Sequence, residues 1–402
     1  MTPVSADVAL TLIREHAPAP RPTRTALERA AGRVLLKPVI AIRDQPPFDA
    51  SAMDGYALAT SLEPGQVLTV IGESQAGKAF AGALHDGATV RVFTGAPLPA
   101  DATRVLMQED VSRDGDTIRL REGAQPGGKP HVRPRGSDFR ADDIVLQSGD
   151  RLTGWRLSLA AATGAARVTV ARRPRLALIA TGDELVPPGA RPRDDQIFES
   201  NTLALSALAR TWGADVTRAG VHGDDLDTLT RTLKAAPADI LVTIGGASVG
   251  DYDLIRPALE ALGVRWLFEK IDIKPGKPTA FGILDDGRRV LCLPGNPGSA
   301  LICAQLFLKP LIEAALGYQA SAPVQALPCA TGLPANGPRE TFLRAVVLAG
   351  ADGAPFLLPL SEQDCSQVQI LAVTTALIRR RAHAPATAPG AVCDCVWLGD
   401  QG

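Results

Sequence analysis

The first candidates for chemistry are two lysines, Lys274 and Lys277, which flank a proline–glycine pair in residues 271–278, I-D-I-K-P-G-K-P. Proline fixes the backbone angle φ, and glycine allows the backbone to come close to a ligand. A stiff loop with two cations is suited to holding an oxyanion or a pyrophosphate. The same letters are equally typical of a solvated β-turn, so the motif alone leaves both interpretations open.

A second loop, L-P-G-N-P at residues 293–297, follows the apolar run 290–293 and precedes a helical pattern at 298–316. A turn stiffened by proline and glycine between a strand and a helix points backbone N–H groups at a ligand in front of the helix. Together the two loops predict one anion site. The candidate ligand-binding residues of this second loop are Pro294, Gly295, Asn296 and Pro297.

Carboxylates follow a predicted strand at T-G-D-E, residues 181–184. Carboxylates beside a phosphate site normally act through Mg²⁺, because this hard cation prefers oxygen ligands and bridges the two anions. Glu184 is therefore a candidate metal ligand and catalytic residue, with stabilisation of the turn as the alternative for Asp183 and Glu184. Asp225, the second member of an acidic pair before a predicted helix, is a candidate for metal binding or for helix capping.

A glycine-rich loop, G-G-A-S-V-G-D-Y-D at residues 245–253, follows another predicted strand and opens a helix. Glycines at such a position let a phosphate approach the backbone, and a serine adds a hydrogen-bond donor. Asp253 is a candidate for metal binding, with capping of the helix as the alternative. The candidate ligand-binding residues of this loop are Gly245, Gly246, Ser248, Gly250 and Asp253.

Three further polar segments lie nearer the N-terminus. Asp54 stands in P-P-F-D-A-S-A-M-D-G-Y-A, Thr94 begins T-G-A-P, and Asp138 ends R-P-R-G-S-D. Each segment taken alone favours ordinary turn chemistry over a functional role.

Composition excludes several classes of protein. The chain has 402 residues, 46% of them hydrophobic and 21% charged, which is enough to form a sizeable core in about three domains. Aromatic residues make up 4% and the net charge is −1, so no general nucleic-acid partner is expected. The six cysteines show no C-x-x-C spacing and the five histidines no H-x-x-x-H spacing, which argues against a zinc site.

The N-terminus shows no signal peptide, and no apolar stretch approaches the length of a membrane span. Buried, inert thiols in a reducing compartment are the expectation for the cysteines. We therefore expect a soluble, cytoplasmic protein without a membrane partner.

The first part of the chain predicts an elongated domain with an insertion. Helices are expected at 5–16 and 25–31, and again at 153–163, followed by a strand at 166–170. Between them, short β-like runs at 67–71, 89–93 and 104–107 are separated by turn residues. We predict that residues 1–45 and 137–173 form an elongated linker and dimerisation domain, into which a small β module, 46–136, is inserted.

From residue 175 onward, apolar strands alternate with helical patterns, which predicts a mostly parallel sheet with helices on both faces. This α/β domain is expected to span 174–318, with ligands at the carboxyl ends of its strands, where the polar loops lie. Residues 319–402 are expected to form a C-terminal β-barrel-like domain. The fold class is thus a multidomain α/β protein. Expected strands are 176–180, 215–220, 240–244, 264–269 and 290–293, then 342–348, 356–358, 377–380 and 392–398; expected helices between them are 201–212, 225–235, 253–262 and 298–316.

The motifs together resemble one family. F-D-A-S-A-M-D-G-Y-A, T-G-A-P, R-G-S-D, T-G-D-E-L, G-G-A-S-V-G-D-Y-D, K-P-G-K-P and L-P-G-N-P occur in this order. The set resembles the molybdopterin molybdenumtransferase family, which is MoeA-type and similar to the E-domain of gephyrin. The resemblance covers nearly all of the chain and weakens past about residue 320.

The resemblance implies insertion of molybdate into adenylylated molybdopterin, with Mg²⁺-dependent release of AMP, in molybdenum cofactor biosynthesis. It also implies an elongated homodimer that receives its pterin from an adenylyltransferase-type protein. Lys274 and Lys277 would hold molybdate or pyrophosphate. The resemblance also implies that Glu184, Asp225 and Asp253 bind Mg²⁺ or the phosphate region of the pterin. It places the active site in a cleft between the sheet domain of one subunit and the β module of the other, so Asp54, Thr94 and Asp138 would act across this cleft.

The last domain departs from the family pattern. A glycine-rich Q-G-S-G-like segment of the family stands here as Q-D-C-S-Q, residues 363–367, which leaves roles for Ser366 and Arg344 open. Two alternative functions also remain at this point. One is a molybdopterin adenylyltransferase, which uses a similar sheet domain, and the other is a non-catalytic, gephyrin-like dimeric scaffold.

Overall fold

The computed structural model describes residues 2–63, 65–124, 129–223, 225–245, 254–318 and 324–398. The chain forms two compact units. Unit 1 consists of Met1–Thr23, Gly32–Leu36 and Val170–Gly402, and unit 2 consists of Arg24–Ala31 and Lys37–Thr169.

The helices and strands of both units are numbered here in chain order. The helices are α1 Ala6–Glu15, α2 Gly154–Ala162, α3 Asn201–Thr211, α4 Leu226–Ala235, α5 Ile255–Ala261, α6 Pro297–Cys303, α7 Lys309–Ala315 and α8 Gln369–Ala372. The strands up to residue 171 are β1 Pro22–Ala26, β2 Val39–Ile40, β3 Ala50–Ser51, β4 Gly55–Leu58, β5 Val67–Ser74, β6 Ala88–Val92, β7 Arg104–Met107, β8 Val111–Asp114, β9 Thr117–Leu120, β10 Val132–Arg133, β11 Ile144–Leu146 and β12 Arg167–Ala171. The later strands are β13 Arg175–Thr181, β14 Leu185–Val186, β15 Ile197–Phe198, β16 Asp215–His222, β17 Ile240–Ile244, β18 Arg265–Phe268, β19 Ile273–Lys274, β20 Ala280–Ile283, β21 Arg289–Leu293, β22 Val324–Pro328, β23 Glu340–Ala349, β24 Pro355–Pro359, β25 Ala376–Arg380 and β26 Val392–Trp397.

Unit 2 is built around a sheet with the strand order β7-β4-β6-β5-β9-β8. Neighbouring strands run antiparallel except β5 and β6, which are parallel. Short apolar runs broken by turns give this sheet, as expected for strands that bury one face. Tyr56 and Ala57 contribute to two different core clusters, because successive residues of β4 point to opposite faces.

The central sheet of unit 1 has the order β16-β13-β17-β21-β20-β18. The first four strands are parallel, and β20 and β18 run antiparallel at one end. Leu176 and Leu178 pack into one core cluster, while Ala177 and Ile179 pack into the other. Both faces of the sheet are therefore covered by helices, as the alternating sequence pattern predicted. Strand β20 was not predicted, since A-F-G-I is too short and too glycine-rich to be distinguished from the loop before it.

The C-terminal part of unit 1 contains a second sheet, of order β19-β23-β25-β26-β22, with β24 paired to β23. The expected strands match β23, β24, β25 and β26, whereas β22 was not predicted. The first strand of this second sheet, β19, belongs to the lysine-containing loop and pairs in parallel with Glu340 and Thr341 of β23. This pairing attaches the loop to a strand that begins more than sixty positions later in the chain.

The helix predicted over 25–31 is wrong. Residues of this segment continue β1, and only Leu27–Arg29 form a single 3₁₀ turn. A seven-residue helix gains few hydrogen bonds for the cost of its first turn, so strand pairing with β12 prevails over weak helical periodicity.

The helix predicted over 298–316 is interrupted. Between α6 and α7 the chain forms a π-helical segment, Ala304–Leu308. Pro310 follows this segment closely, and a proline lacks the N–H that would bond the carbonyl four residues earlier. A π segment in front of a proline accommodates the missing bond without ending the helix.

Contrary to the expectation that no stretch approaches a membrane span, Pro297–Ala315 is long and apolar enough to cross a membrane by length and composition. However, 67% of the residues in its most apolar window are buried within the protein. Phe307, Leu308 and Leu311 belong to the main core of unit 1. The apolar character of this segment is thus explained by its place as a core helix.

The ion pairs of α1 generate a prediction about pH. Asp7 accepts hydrogen bonds from Arg379 Nη2 at 2.7 Å and Arg381 Nη1 at 2.9 Å. Burial alone raises the pKa of the Asp7 carboxyl, but the two arginines outweigh burial and hold this pKa below its usual value of 3.8. A carboxyl with a lowered pKa stabilises the folded state above its unfolded pKa, and this stabilisation disappears as the pH falls through the folded pKa.

We therefore expect Asp7→Asn to lower the free energy of unfolding by about 0.5–1 kcal/mol at pH 7, the range of a largely exposed ion pair. The difference from the unmutated protein should shrink towards zero below pH 3. Urea denaturation at pH 7, 4 and 3 measures it. Asp116→Asn, in an exposed pair 3.9 Å from Arg113, is the control and should have no effect. An equal difference at pH 7 and pH 3 would show that the carboxylate charge is irrelevant.

Candidate functional site

A cavity of about 710 Å³ opens at the carboxyl ends of the parallel strands β13, β17 and β21. We call it the sheet-edge cavity. Ligands in α/β sheets of this type bind at this edge, which is where the sequence analysis placed the polar loops. The predicted site residues that line it are Glu184, Gly245, Pro294, Gly295, Asn296 and Pro297.

Glycine is required where two of these loops meet. Gly245 has φ +89°, and a Cβ there would lie 2.9 Å from the backbone oxygen of Thr181. A Cβ on Gly295 would lie 3.4 Å from the Cα of Gly245, so the loops after β17 and β21 are in van der Waals contact. The backbone is therefore accessible to a ligand at this point, because no side chain covers it.

Glu184 lines the same cavity and is exposed. Its carboxylate folds back over its own turn, where a Cβ on Gly182, at φ +145°, would overlap it. The backbone oxygen of Glu184 accepts a hydrogen bond from Ile197 N at 2.7 Å. The backbone of Glu184 is thus held by β15, while its side chain is exposed at the cavity and open to solvent or ligand.

Two residues of the sheet-edge cavity were missed by the sequence analysis. Asn201 Nδ2 donates to the Gly295 oxygen at 2.8 Å, while its Oδ1 is buried and has no partner among the described residues. Glu199, 2% exposed, accepts from the backbone N of Thr202 at 2.6 Å and lies 3.5 Å from Arg218 Nη2. The available signal was F-E-S-N before an amphipathic helix, which indicates only a helix start.

A second cavity, of about 310 Å³, adjoins the first, and Pro278 lines both. We call it the lysine cavity. Among the described residues no carboxylate lines this cavity, whereas four cationic side chains do. These are Lys274, Lys277, Arg339 and Arg344.

The two lysines are exposed, and neither ammonium group has a hydrogen-bond or ion-pair partner within the part of the chain that the structure describes. Such a cluster attracts anions, because like charges brought together are stabilised by a counter-charge. The lysine cavity is therefore suited to a small oxyanion.

Arg344 is 1% exposed and is bonded only to backbone oxygens on its guanidinium ends. Nη1 donates to Asp364 O at 3.1 Å and Nη2 to Glu362 O at 3.5 Å, while Nε has no partner among the described residues. Burial lowers the pKa of Arg344. The nearby carboxylates of Asp364 and Glu362 act against burial and raise this pKa, but neither forms an ion pair with the guanidinium among the described residues. An incoming anion can therefore bind to the remaining donor of Arg344.

Packing against α6 holds the lysine loop in place. Gly276 has φ +112°, and a Cβ there would overlap the Cys303 sulfur. Thr279 Oγ1 donates to the Gly276 oxygen at 2.8 Å and lies 3.2 Å from Cys303 Sγ. Complete burial raises the pKa of Cys303 to about 12, so this thiol is neutral packing material.

The three predicted motifs of unit 2 meet around β3. Asp54 Oδ1 accepts hydrogen bonds from Thr94 N at 2.8 Å and Thr94 Oγ1 at 2.9 Å, and these bonds lower the pKa of the carboxyl. Strand β3 pairs with β10, and Arg135 N donates to Asp49 Oδ1 at 2.7 Å. Asp138, which follows β10, is exposed. The structure thus joins Asp54 directly to Thr94 and places the third motif beside them.

Not every predicted residue reaches a cavity. Asp225 caps α4, since its Oδ1 accepts from Thr228 N at 2.7 Å, and hydrogen bonds from Thr228 lower its pKa. It lines neither cavity. The predicted residues Gly246, Ser248, Gly250 and Asp253 lie outside the described residues.

The divergent segment 363–367 nevertheless contributes to both cavities. Ser366 lines the sheet-edge cavity and Cys365 the lysine cavity. Ser366 N and Oγ donate to Asp364 Oδ1 at 2.8 Å, which fixes the turn. The departure from the family pattern therefore leaves Ser366 and Arg344 within the site.

Comparisons with known proteins agree with this geometry. The MoeA N-terminal region (domain I and II) matches residues 4–164, and a probable molybdopterin binding domain matches residues 177–314. A MoeA protein from Pyrococcus horikoshii OT3, solved by crystallography, superposes with a TM-score of 0.84 at 25% identity, covering 98% of this chain and 100% of that one.

Curated relatives are similar over most of the chain. Molybdopterin molybdenumtransferase 2 of Mycobacterium tuberculosis is 36% identical over 320 residues, 76% of this chain and 78% of the relative. Molybdopterin molybdenumtransferase of Haemophilus influenzae is 37% identical over 308 residues, 75% of each chain. These names favour the transferase over the adenylyltransferase and the non-catalytic scaffold.

The contact between Gly276 and Cys303 generates a stability prediction. We expect Gly276→Ala to lower the free energy of unfolding by about 2–4 kcal/mol, which combines the left-handed backbone with overpacking against sulfur. In a Cys303→Ala background the same change should cost only about 1 kcal/mol, because the overlap is gone. A double-mutant cycle in urea measures the coupling.

Gly287→Ala is the matched control for this cycle. Gly287 has φ +84°, but a Cβ added there would have no neighbouring atom within 4 Å, so alanine meets only the backbone cost. Additivity of Gly276→Ala and Cys303→Ala would refute packing of the loop on α6 as the reason for glycine.

Proposed function

The chain belongs to the molybdopterin molybdenumtransferase family, and we propose that its two adjoining cavities hold the two substrates of molybdenum insertion. The protein is a transferase that inserts molybdenum in molybdenum cofactor biosynthesis. We assign adenylylated molybdopterin to the sheet-edge cavity and molybdate to the lysine cavity. The observation that carries the proposal is that four cations, and no carboxylate of the part of the chain that the structure describes, line the lysine cavity.

The sheet-edge cavity fits a nucleotide-like ligand in size and lining. Its volume of about 710 Å³ lies within the usual range for ligand pockets. The close contact of Gly245 with Gly295 exposes backbone where a pyrophosphate can approach. Pro297 begins α6, so backbone N–H groups of Gly298 and Ser299 lie at a helix start, although Gly298 N already donates to Cys365 O.

In the lysine cavity, Lys274 and Lys277 hold molybdate as mobile point charges, while Arg344 supplies a fixed guanidinium. Water adds across the phosphoanhydride bond of adenylylated molybdopterin, and AMP leaves. The two sulfurs then replace an oxygen of molybdate as ligands of the metal, and this oxygen leaves as water with the two thiol protons. The cations neutralise molybdate and orient it for this exchange. Since the two cavities adjoin at Pro278, the transfer needs no long passage between them.

Mg²⁺ is part of the proposal, and the described residues fit it. Glu184 offers a carboxylate, and Asn201 Oδ1 is a buried oxygen without a described partner in the same cavity. Mg²⁺ binds through few protein oxygens and keeps contacts to water and substrate phosphates. When bound, it would neutralise charge on the pyrophosphate. Asp253 remains a proposed ligand, whereas Asp225 would have to leave its capping bond to contribute more than one oxygen.

We further propose a cytoplasmic homodimer. None of the six cysteines forms a disulfide, as expected in a reducing compartment. Unit 2 exposes large apolar side chains at Ile40, Ile42, Ile144 and Trp155, the last 90% exposed. Ile40 and Ile144 are paired across β2 and β11, so part of this surface is contiguous.

In such a dimer, Asp54, Thr94 and Asp138 serve the cavity of the other subunit, and an adenylyltransferase-type protein supplies the pterin. The division of the chain into 1–45 with 137–173, 46–136, 174–318 and 319–402 is likewise part of the proposal. The first of these domains takes residues from both compact units, whereas 46–136 lies within unit 2 and both 174–318 and 319–402 lie within unit 1.

The proposed assignment of cavities is tested with Lys277→Ala. With adenylylated molybdopterin and Mg²⁺, molybdate should trigger AMP release from the unmutated protein. We expect the rate to fall by about 100-fold in the variant, the usual effect of removing one preorganised charge from a transition state. Chromatography of AMP measures the rate.

Lys234→Ala is the control, since Lys234 is exposed on α4 and lines neither cavity. It should retain the full rate. AMP release that does not depend on molybdate, or that is unchanged in Lys277→Ala, would contradict the assignment.

The dimer proposal is tested with Trp155→Glu. A charge in the centre of a buried apolar interface is poorly tolerated, so we expect the variant to shift towards monomer by at least about tenfold in dissociation constant. Light scattering after size exclusion, over a range of concentrations, measures the mass. Val67→Glu, at an exposed position of β5, is the matched control; a mass that is monomeric before mutation would rule the dimer out.

A further inference from the structure

One cysteine differs from the other five in its surroundings. Cys292, Cys303, Cys329, Cys393 and Cys395 are buried, whereas Cys365 is half-exposed. Cys365 lines the lysine cavity, and its Sγ accepts a hydrogen bond from Asn296 Nδ2 at 3.2 Å. This hydrogen bond fixes the position of the sulfur at the wall of the cavity.

The cavity around this sulfur is built for negative charge. Besides Lys274, Lys277 and Arg339, it contains Arg344, which is 1% exposed and whose Nε has no partner within the described residues. This unpartnered donor points to a ligand independently of the cysteine. Cations around the sulfur attract anionic reagents to it, and in disulfide exchange a thiolate attacks one sulfur of the disulfide.

The buried thiols show the opposite environment. Cys303, on the far side of the Gly276 turn, has its pKa raised to about 12 by burial. Burial also raises the pKa of Cys393 and Cys395. Reagents that reach the native protein therefore meet one thiol in a cationic cavity and five that are shielded.

We propose that Cys365 is a modification site for small anionic disulfides of the glutathione disulfide class. The Cys365 thiolate attacks one sulfur of the disulfide, whose S–S bond breaks as the new one forms. The released thiolate takes up a proton from water. No further oxidant is needed, and a thiol reverses the reaction.

Modification at this place closes the lysine cavity. A glutathionyl group carries carboxylates, which the lysines and arginines attract, and its bulk is comparable with the 310 Å³ available. The modified protein cannot hold an oxyanion there. An excess of such disulfides would therefore inhibit the enzyme reversibly, because the modified lysine cavity cannot bind its oxyanion. The site of modification follows from the cavity and its thiol, whereas the loss of activity rests on the proposed assignment of molybdate to the lysine cavity.

The test compares iodoacetate with iodoacetamide, which alkylate by the same reaction but differ in charge. Rates at Cys365 are followed by peptide mass spectrometry on the native protein and divided by those of free glutathione. We expect the iodoacetate-to-iodoacetamide ratio at Cys365 to exceed that of glutathione about tenfold, the enrichment a cationic cleft gives to small anions. Sulfate should slow the reaction more than sodium chloride of equal ionic strength.

Arg339→Gln should reduce this ratio several-fold, whereas Lys234→Gln, a change of equal charge outside the cavity, should leave it unaltered. Glutathione disulfide should add one glutathionyl group to the native protein, none to Cys365→Ser, and less in the presence of sulfate. Dithiothreitol should remove it.

A ratio equal to that of glutathione, or labelling spread over the buried cysteines, would overturn the proposal. Equal effects of Arg339→Gln and Lys234→Gln would do so as well, because the attraction would then be that of net charge alone. Because the readout is covalent labelling, these outcomes are independent of whether molybdate triggers AMP release.

Discussion

The lysine cavity concentrates positive charge, and the rest of unit 1 must hold these mutually repelling cations together. Lys274, Lys277, Arg339 and Arg344 line one small cavity that no carboxylate lines among the described residues. Two unit charges 4 Å apart repel by about 1 kcal/mol in water and by several times more where water is excluded. Unfolding relieves this repulsion, so the cavity must be held together by contacts elsewhere.

Those contacts are apolar or neutral, which keeps them from cancelling the charge. Gly276 packs against the neutral thiol of Cys303, and Thr279 fastens the turn through its hydroxyl. β19 pairs with β23, and Arg344 is held by backbone oxygens of the segment beside it. A carboxylate at any of these positions would neutralise a cation and remove the attraction for a ligand. Rigid but uncharged support is therefore what makes the cavity receptive to an anion.

The sequence predicted the parts of the site that depend on local chain geometry. Apolar runs such as Ile240–Ile244 are buried on both faces, so their length and the loop after each one could be recognised directly. Lys274 and Lys277 were found because a Pro-Gly pair between cations is a local pattern. The sheet positions these loops at one edge, which is a property of parallel strands in general.

The residues that were missed or left open depend on contacts between distant parts of the chain. Asn201 matters because Gly295, 94 positions later, accepts its hydrogen bond. Arg344 is in the middle of a strand and is indistinguishable by pattern from an exposed strand residue, yet it is 1% exposed. Asp225 illustrates a different difficulty: an acid before a helix is as suitable for capping as for metal binding, the sequence left both open, and the structure shows the capping bond.

Segment 363–367 differs in sequence from the family pattern, yet its residues line both cavities. Where the family has glycine, Asp364 accepts hydrogen bonds from both the N and the Oγ of Ser366, so a side chain stabilises the turn that glycine would otherwise permit. Close approach is instead provided from the other side, by Gly298, where a Cβ would lie 2.8 Å from Arg344 Nη1 and from the Cys365 oxygen. Gly298 on α6 therefore allows segment 363–367 to lie against the helix, because any larger residue there would meet Arg344 and the backbone of Cys365. This packing is what places the sulfur of Cys365 in a cavity lined by cations.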